Sequence, residues 1–398
     1  MNSDNNIKEV VFCKKCVMSN QRPGSTVEFK NIKNEKKKFI PFNQNGVCGA
    51  CEFKVIKDTE IDWQEREFFL RELCEKYRSR NGSHDVVIPG SGGKDSTFTS
   101  HILKYKYNMN PITVTWAPHA YTDIGWQNFQ EWINSGFSNL LISPNGKLHR
   151  LLTKKAFINL CHPFQPFIIG QKICGPKFAT LLKIPFVMYG EHSSEYGDKL
   201  DEAYDPKMPE KYFVQDTSID ELILGGVPAR KICEQHGFNF SDMSDYLPIS
   251  ANLIKEVNVE VYHLSYYLNW DPQEVYYYAA NKAGFKVNSQ RTQGSYSKYS
   301  SIDDKLDTLH YYTTLIKFGI GRATYDASQE VRNGKINREE AVALVKKYDQ
   351  EFPDFYFNDC LTYMDITSEQ FWDVINKNRP KHLWIKKNNL WKLKHTVY

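Results

Sequence analysis

The chain has 398 residues, too many for one ordinary hydrophobic core, so two or three domains are expected. It is 41% apolar and 25% charged, the profile of a soluble globular protein. Its net charge of +4 suits an anionic ligand such as a nucleotide and gives no argument for a dedicated nucleic-acid binder. No stretch approaches 18 uninterrupted apolar residues, so no membrane span is expected. The opening MNSDNNIKEVVFCKK lacks the apolar core of a signal peptide, which makes the cytoplasm the expected location.

Residues 1–57 read as a small unit with two CxxC pairs, turn signals and a basic run, KNIKNEKKK, expected to be a solvated loop or hairpin tip. The stretch DTEIDWQEREFFLRELCEKYRSRNGS repeats Phe69, Leu73 and Tyr77 at helical spacing, with Asp58 or Thr59 as cap. From His84 to about residue 250, strand patterns (DVVIPG, PITVTWA, NLLIS, IPFVMYGE) alternate with helical ones. That alternation implies a parallel sheet with helices on both faces and ligands beyond the strands' carboxyl ends. Residues 251–398 read as mainly helical. Asp271-Pro272 opens one helix that Gly284 closes, Asn337 and Glu340 form a capping box, and Ser368 caps a helix ending before Pro380.

The stretch VVIPGSGGKDSTF places Gly90, Ser91, Gly92, Gly93, Lys94, Asp95 and Ser96 between a buried strand and a helix. Glycines there let backbone N–H groups approach phosphate, the helix N-terminus adds unpaired donors, and Lys94 adds a charge. SGGKDS resembles the PP-loop of the ATP pyrophosphatase superfamily, whose pattern is SGGxDS. Asp95 stands where a Walker motif carries a magnesium-binding hydroxyl. The resemblance implies a grip on a departing pyrophosphate, hence transfer of an adenylyl group, with ATP and Mg2+ required. Glu191, after IPFVMYGE, is a candidate to hold that ion or orient substrate. A solvated carboxylate at a strand end is the alternative.

Cys13 and Cys16, then Cys48 and Cys51, form two knuckles 31 residues apart, enough for one tetrahedral four-thiolate site, expected to hold structural Zn2+. The remaining five of nine cysteines stand alone, as small core residues usually do.

Nearly the whole chain is similar to the N-acetyl sugar amidotransferase family. The match runs through CKKCVMSNQRPG, GVCGACE, IDWQER, GSGGKDS, VTWAPHAYTDIGWQNFQEWINSGF, HPFQPFIIGQKICGPKFA, MYGEHSSEYG, GSYSKYSSIDDK and FGIGRATYDASQEVRNGKINREEAVALVKKYD. The resemblance implies a PP-loop (adenine nucleotide alpha hydrolase-like) α/β domain over residues 58–250, after the zinc-binding four-cysteine unit and before a helical substrate or partner region. It implies conversion of an N-acetyl group on a nucleotide-activated sugar to an acetamidino group, in surface polysaccharide (lipopolysaccharide O-antigen) or flagellar, pseudaminic acid type, pathways. No glutaminase signature is visible, so ammonia is expected from a separate histidine-pathway-like glutaminase subunit, often with a cyclase-like companion. Other candidates follow on the matching segments. Lys298 and Arg322 are placed at phosphate or at a sugar carboxylate, and Ser295, Asp303 and Asp304 lie on the same polar stretch. His162, Gln165, Gln171 and Lys172 are read on a rigid Pro- and aromatic-rich loop at the sugar, Lys177 at phosphate, and His119 near the nucleotide. For each, a surface charge, cap or satisfied loop residue is the alternative reading. Two other functions stay open: tRNA thiolation, which would bring RNA and a sulfur donor, and a zinc-knuckle adaptor that only scaffolds a glutaminase.

Overall fold

The structure, a computed structural model, describes residues 9–33, 37–198, 204–215 and 221–398. Part of the basic run, residues 34–36, lies outside the described residues. Helix α1 (Gly49–Thr59) starts from the second cysteine knuckle and α2 (Trp63–Tyr77) follows. Asp58 and Thr59 therefore close α1 rather than cap α2. The cap is Asp62, whose side chain accepts from the N–H groups of Gln64 and Glu65. Leu70 and Cys74 are the buried residues of α2, while Phe68 and Phe69 are exposed, because only one stripe of the helix meets the core.

The sheet begins with β1 (Val86–Pro89), then α3 (Lys94–Tyr105), β2 (Pro111–Trp116), α4 (Asp123–Asn134), β3 (Ser138–Ile142), α5 (Gly146–Leu160), α6 (Gln165–Leu182) and β4 (Phe186–Tyr189). A short hairpin, β5 (Ile223–Leu224) with β6 (Val227–Pro228), precedes α7 (Ala229–His236), α8 (Ala251–Val257) and β7 (Glu260–His263). The five-stranded sheet is parallel throughout, in the order β3-β2-β1-β4-β7. Its last strand falls inside the stretch expected to be helical, because four residues bounded by a helix on each side carry too little period to read. On β1, Val87 joins one core cluster while Val86 and Ile88 join the other, so both faces are covered.

Helix α6 corrects a second expectation: most of HPFQPFIIGQK, from Gln165 on, is helix rather than a rigid loop. Pro166 sits in the first turn, where a missing N–H costs nothing, and Pro176 is carried inside the helix. Gly170 lets α6 lie directly on the sheet, since a Cβ there would meet the Trp116 ring at 2.0 Å.

After α9 (Leu264–Tyr267) come α10 (Pro272–Ala283), α11 (Asp307–Phe318), α12 (Arg322–Arg332), α13 (Arg338–Tyr348), α14 (Phe357–Met364) and α15 (Ser368–Lys377). The Asp271 and Asn337 caps form as expected, but the last helix is capped by Thr367 with Gln370, one residue before Ser368. The tail closes as a hairpin, β8 (Trp384–Lys387) with β9 (Leu390–Leu393). The cysteine unit shares a core with this region: Ile320 is buried among the four cysteines, with Phe318, Tyr325 and Val331 against them. Arg338 also donates to the carbonyls of Cys13 and Cys16. No helix among the described residues is long and apolar enough to cross a membrane.

Candidate functional site

The strand order reverses between β1 and β4, and parallel sheets open a crevice where it does so. Two loops meet there: Gly90–Gly93 after β1, and Gly190–Ser193 after β4. Gly93 caps α3 with no side-chain oxygen, so the first N–H groups of α3 are left for a ligand. Gly92 holds φ +85°, and a Cβ would stand 2.7 Å from the Phe129 Cα. Ser91 Oγ donates to Asp303 at 2.8 Å, and Lys94 donates to Asp95 at 2.6 Å. The loop thus forms a cradle of backbone donors braced from behind by α4 and by the Asp303 segment.

The loop divides two cavities. The larger, about 580 Å³, includes Gly90, Ser91, Gly93, Asp95 and Ser96 in its walls. Glu191 faces the same space, accepting from Tyr196 and, at 3.0 Å, from Trp270 Nε1. Burial, with Asp95 adding repulsion, pushes its carboxyl up to about 7. Both carboxylates border one cavity, and a divalent cation between them would relieve the repulsion that Asp95 exerts on Glu191. The smaller cavity, about 170 Å³, is lined by Gly92, Lys94, Asp303 and Arg322. Burial works against the Arg322 charge, but Asp326, Tyr311 and Asp307 around it outweigh that and raise its pKa well above the ordinary value. Burial pushes Asp307 up to about 7, with Asp303 contributing.

The four knuckle cysteines converge. Their sulfurs all lie within 4.8 Å of one another. Cys13 and Cys51 are 3.8 Å apart, and Cys16 and Cys48 3.7 Å. A tetrahedron with metal–sulfur bonds of about 2.3 Å has edges of about 3.8 Å, so the donor set fits one ion bound by four thiolates. Backbone N–H groups of Lys15, Cys16 and Cys48 point at Cys13 Sγ, as expected around thiolate ligands. All four side chains are buried, so an ion bound by the four thiolates would have no open coordination position.

Of the other sequence candidates, His162, Gln171 and Lys172 line the large cavity. His162 pairs with Glu28 at 3.5 Å, and burial lowers its pKa and that of Lys172. Four other candidates make contacts within the fold. Lys298 is exposed and donates to the Ser289 carbonyl at 3.0 Å. Lys177 donates to the Ser244 carbonyl. Gln165 is buried, bonding the Glu28 carbonyl at 2.7 Å and the Gly225 N–H at 2.9 Å. His119 is buried on Asp304 at 2.7 Å, stacked against His149. Ser295 donates to Asp326.

Sequence reasoning missed Arg22, Glu28, Tyr196, His310 and Lys317, all in the walls of the large cavity. Tyr196 was within reach, since EHSSEY continues the polar end of β4. Arg22 and Glu28 carry no local signal, because only tertiary packing brings the cysteine unit to the sheet.

The SGGKDS loop at the switch point of a parallel sheet, with an acidic pair beside it, defines an α/β protein with a crevice open at the carboxyl ends of its strands. Residues 293–398 match the family model described as LPS biosynthesis protein WbpG-like, C-terminal domain. No curated relative matches the chain. NMN synthetase from Francisella tularensis is similar at 12% identity and TM-score 0.33, over 77% of this chain and 98% of that one. The U34-tRNA thiolase NcsA from Methanococcus maripaludis, solved with its 4Fe-4S cluster, is similar at 14% identity and TM-score 0.27, over 79% and 88%.

Proposed function

We propose that the chain is an ATP-dependent amidotransferase that turns an N-acetyl group of a nucleotide-activated sugar into an acetamidino group. The observation that carries this is the SGGKDS loop at the sheet's switch point, opening onto a cavity with Asp95 and Glu191 in its walls. The match of residues 293–398 to a WbpG-like domain of LPS biosynthesis supports a surface-polysaccharide sugar as acceptor.

The loop N–H groups and Lys94 hold the β- and γ-phosphates. The acetamido oxygen attacks the α-phosphorus, the α–β phosphoanhydride bond breaks, and pyrophosphate leaves. Ammonia then adds to the activated carbon and loses a proton, and AMP departs with the former amide oxygen. A Mg2+ ion on Asp95 and Glu191 would neutralise the charge that gathers on the leaving pyrophosphate. Zn2+ is the ion we assign to the closed four-cysteine site. The ammonia comes from a separate glutaminase subunit.

The test is incubation with ATP, ammonium and UDP-linked N-acetyl sugars. AMP and pyrophosphate should form together with a sugar product about one mass unit lighter, NH having replaced O. ADP and phosphate, or AMP formation that needs RNA and a sulfur donor, would overturn the reading.

A further inference from the structure

Arg22 belongs to the cysteine unit, yet it lies in the wall of the large cavity. Arg22 is 8% exposed, and its Nε and Nη1 atoms are buried with no hydrogen-bond partner among the described residues. The guanidinium rests between the rings of Tyr196 and Tyr325, 5.3 and 5.4 Å from their centres. Ring faces supply attraction but accept no N–H bonds in the plane of the fork. A buried cation with idle donors is costly to hold unless an anion completes it.

The carboxylates nearby are already committed. Asp198 accepts from the N–H of Ser25 at 3.0 Å and from its hydroxyl. Glu28 accepts from Asn31 at 2.9 Å and faces His162 at 3.5 Å. A second cation of the same cavity, Lys317, gives its Nζ to the Leu160 carbonyl at 3.1 Å. Among the described residues no carboxylate makes an ion pair with it. Arg22 thus keeps donors for an anion in the cavity, on a different segment from the SGGKDS loop. Tyr196 ties it to the reacting centre, because the hydroxyl of the ring that Arg22 covers bonds Glu191.

We infer that Arg22 binds the diphosphate of the second substrate, so that the cysteine unit supplies part of the acceptor subsite. A planar fork suits two phosphate oxygens at once, which a lysine cannot match. The inference deepens the amidotransferase reading and rests on it, but the two can fail separately.

The probe is UDP, titrated calorimetrically into the full chain saturated with α,β-methylene ATP, which fills the loop and is not cleaved. The wild type should take UDP beside the analogue. Arg22→Gln should weaken UDP by about 10- to 100-fold, and Arg22→Lys by less. The analogue's own affinity should stay within about twofold in both. UDP that displaces the analogue, that the wild type does not bind, or that ignores Arg22 overturns the inference. So does a loss of analogue affinity in Arg22→Lys, the variant that decides if Arg22→Gln loses both ligands. Arg22-dependent UDP binding without conversion of any N-acetyl sugar would sink the reaction and leave the subsite standing.

Discussion

Replacing Gly92 by alanine tests the loop most directly. The residue sits at φ +85°, where an L side chain costs about 1–2 kcal/mol. The added Cβ would also stand 2.7 Å from the Phe129 Cα and 2.9 Å from its nitrogen, backbone atoms of α4 that cannot swing aside. Relief to ordinary contact needs the loop and α4 to part by roughly 1 Å, an overpacking cost of about 1–3 kcal/mol. Together these predict a loss of about 2–5 kcal/mol in stability. A misplacement of about 1 Å in a phosphate cradle lowers turnover on the order of 100-fold. The assays are thermal melting and pyrophosphate release with ATP, ammonium and acceptor. A variant that melts with the wild type and releases pyrophosphate at its rate would refute both the strain argument and the role of the loop.

Lys94→Ala should abolish AMP formation while leaving the fold intact by circular dichroism, and sugar conversion that survives it would favour a scaffolding role. Purified protein should carry one zinc per four-cysteine site by elemental analysis; stripping it should lower the melting temperature and weaken UDP, because Arg22 is held by that unit. Clearly substoichiometric metal counts against the site. Burial raises the Asp349 carboxyl from 3.8 to about 6 while it accepts from Gly321 and Thr324. A raised carboxyl favours the protonated folded state, so its cost is absent below about pH 4 and complete above about 6. The stability of Asp349→Asn relative to wild type should therefore rise by about 2 kcal/mol from pH 4 to pH 7, and a flat difference in denaturant melts would contradict this. Glu191→Gln keeps the size of the side chain and should remove AMP formation; a variant with wild-type turnover would exclude Glu191 from the centre.

Much of the fold was legible. The alternation of short apolar runs with helical periods marked four of the five parallel strands, and cap residues such as Asp271 and Asn337 marked helix starts. The α6 segment was misread because its prolines look like loop chemistry, whereas one falls in the first turn and the other is tolerated inside a well-packed helix. β7 was missed because its four residues show no period of their own. Lys298, Lys177, Gln165 and His119 were plausible by residue type, but whether a polar side chain meets a ligand or a carbonyl depends on neighbours remote in sequence.

The sequence by itself determined the glycine loop and the cysteine knuckles, since a strand–SGGKDS–helix string and two CxxC pairs are local chemistry at fixed spacing. Only the tertiary structure decided what surrounds them. It put Glu191 beside Asp95 by pairing β4 with β1, and it brought Arg22 to the same cavity by burying Ile320 among the cysteines. Long-range packing sets those positions, because the apolar faces that drive it can bury themselves only against segments hundreds of residues away.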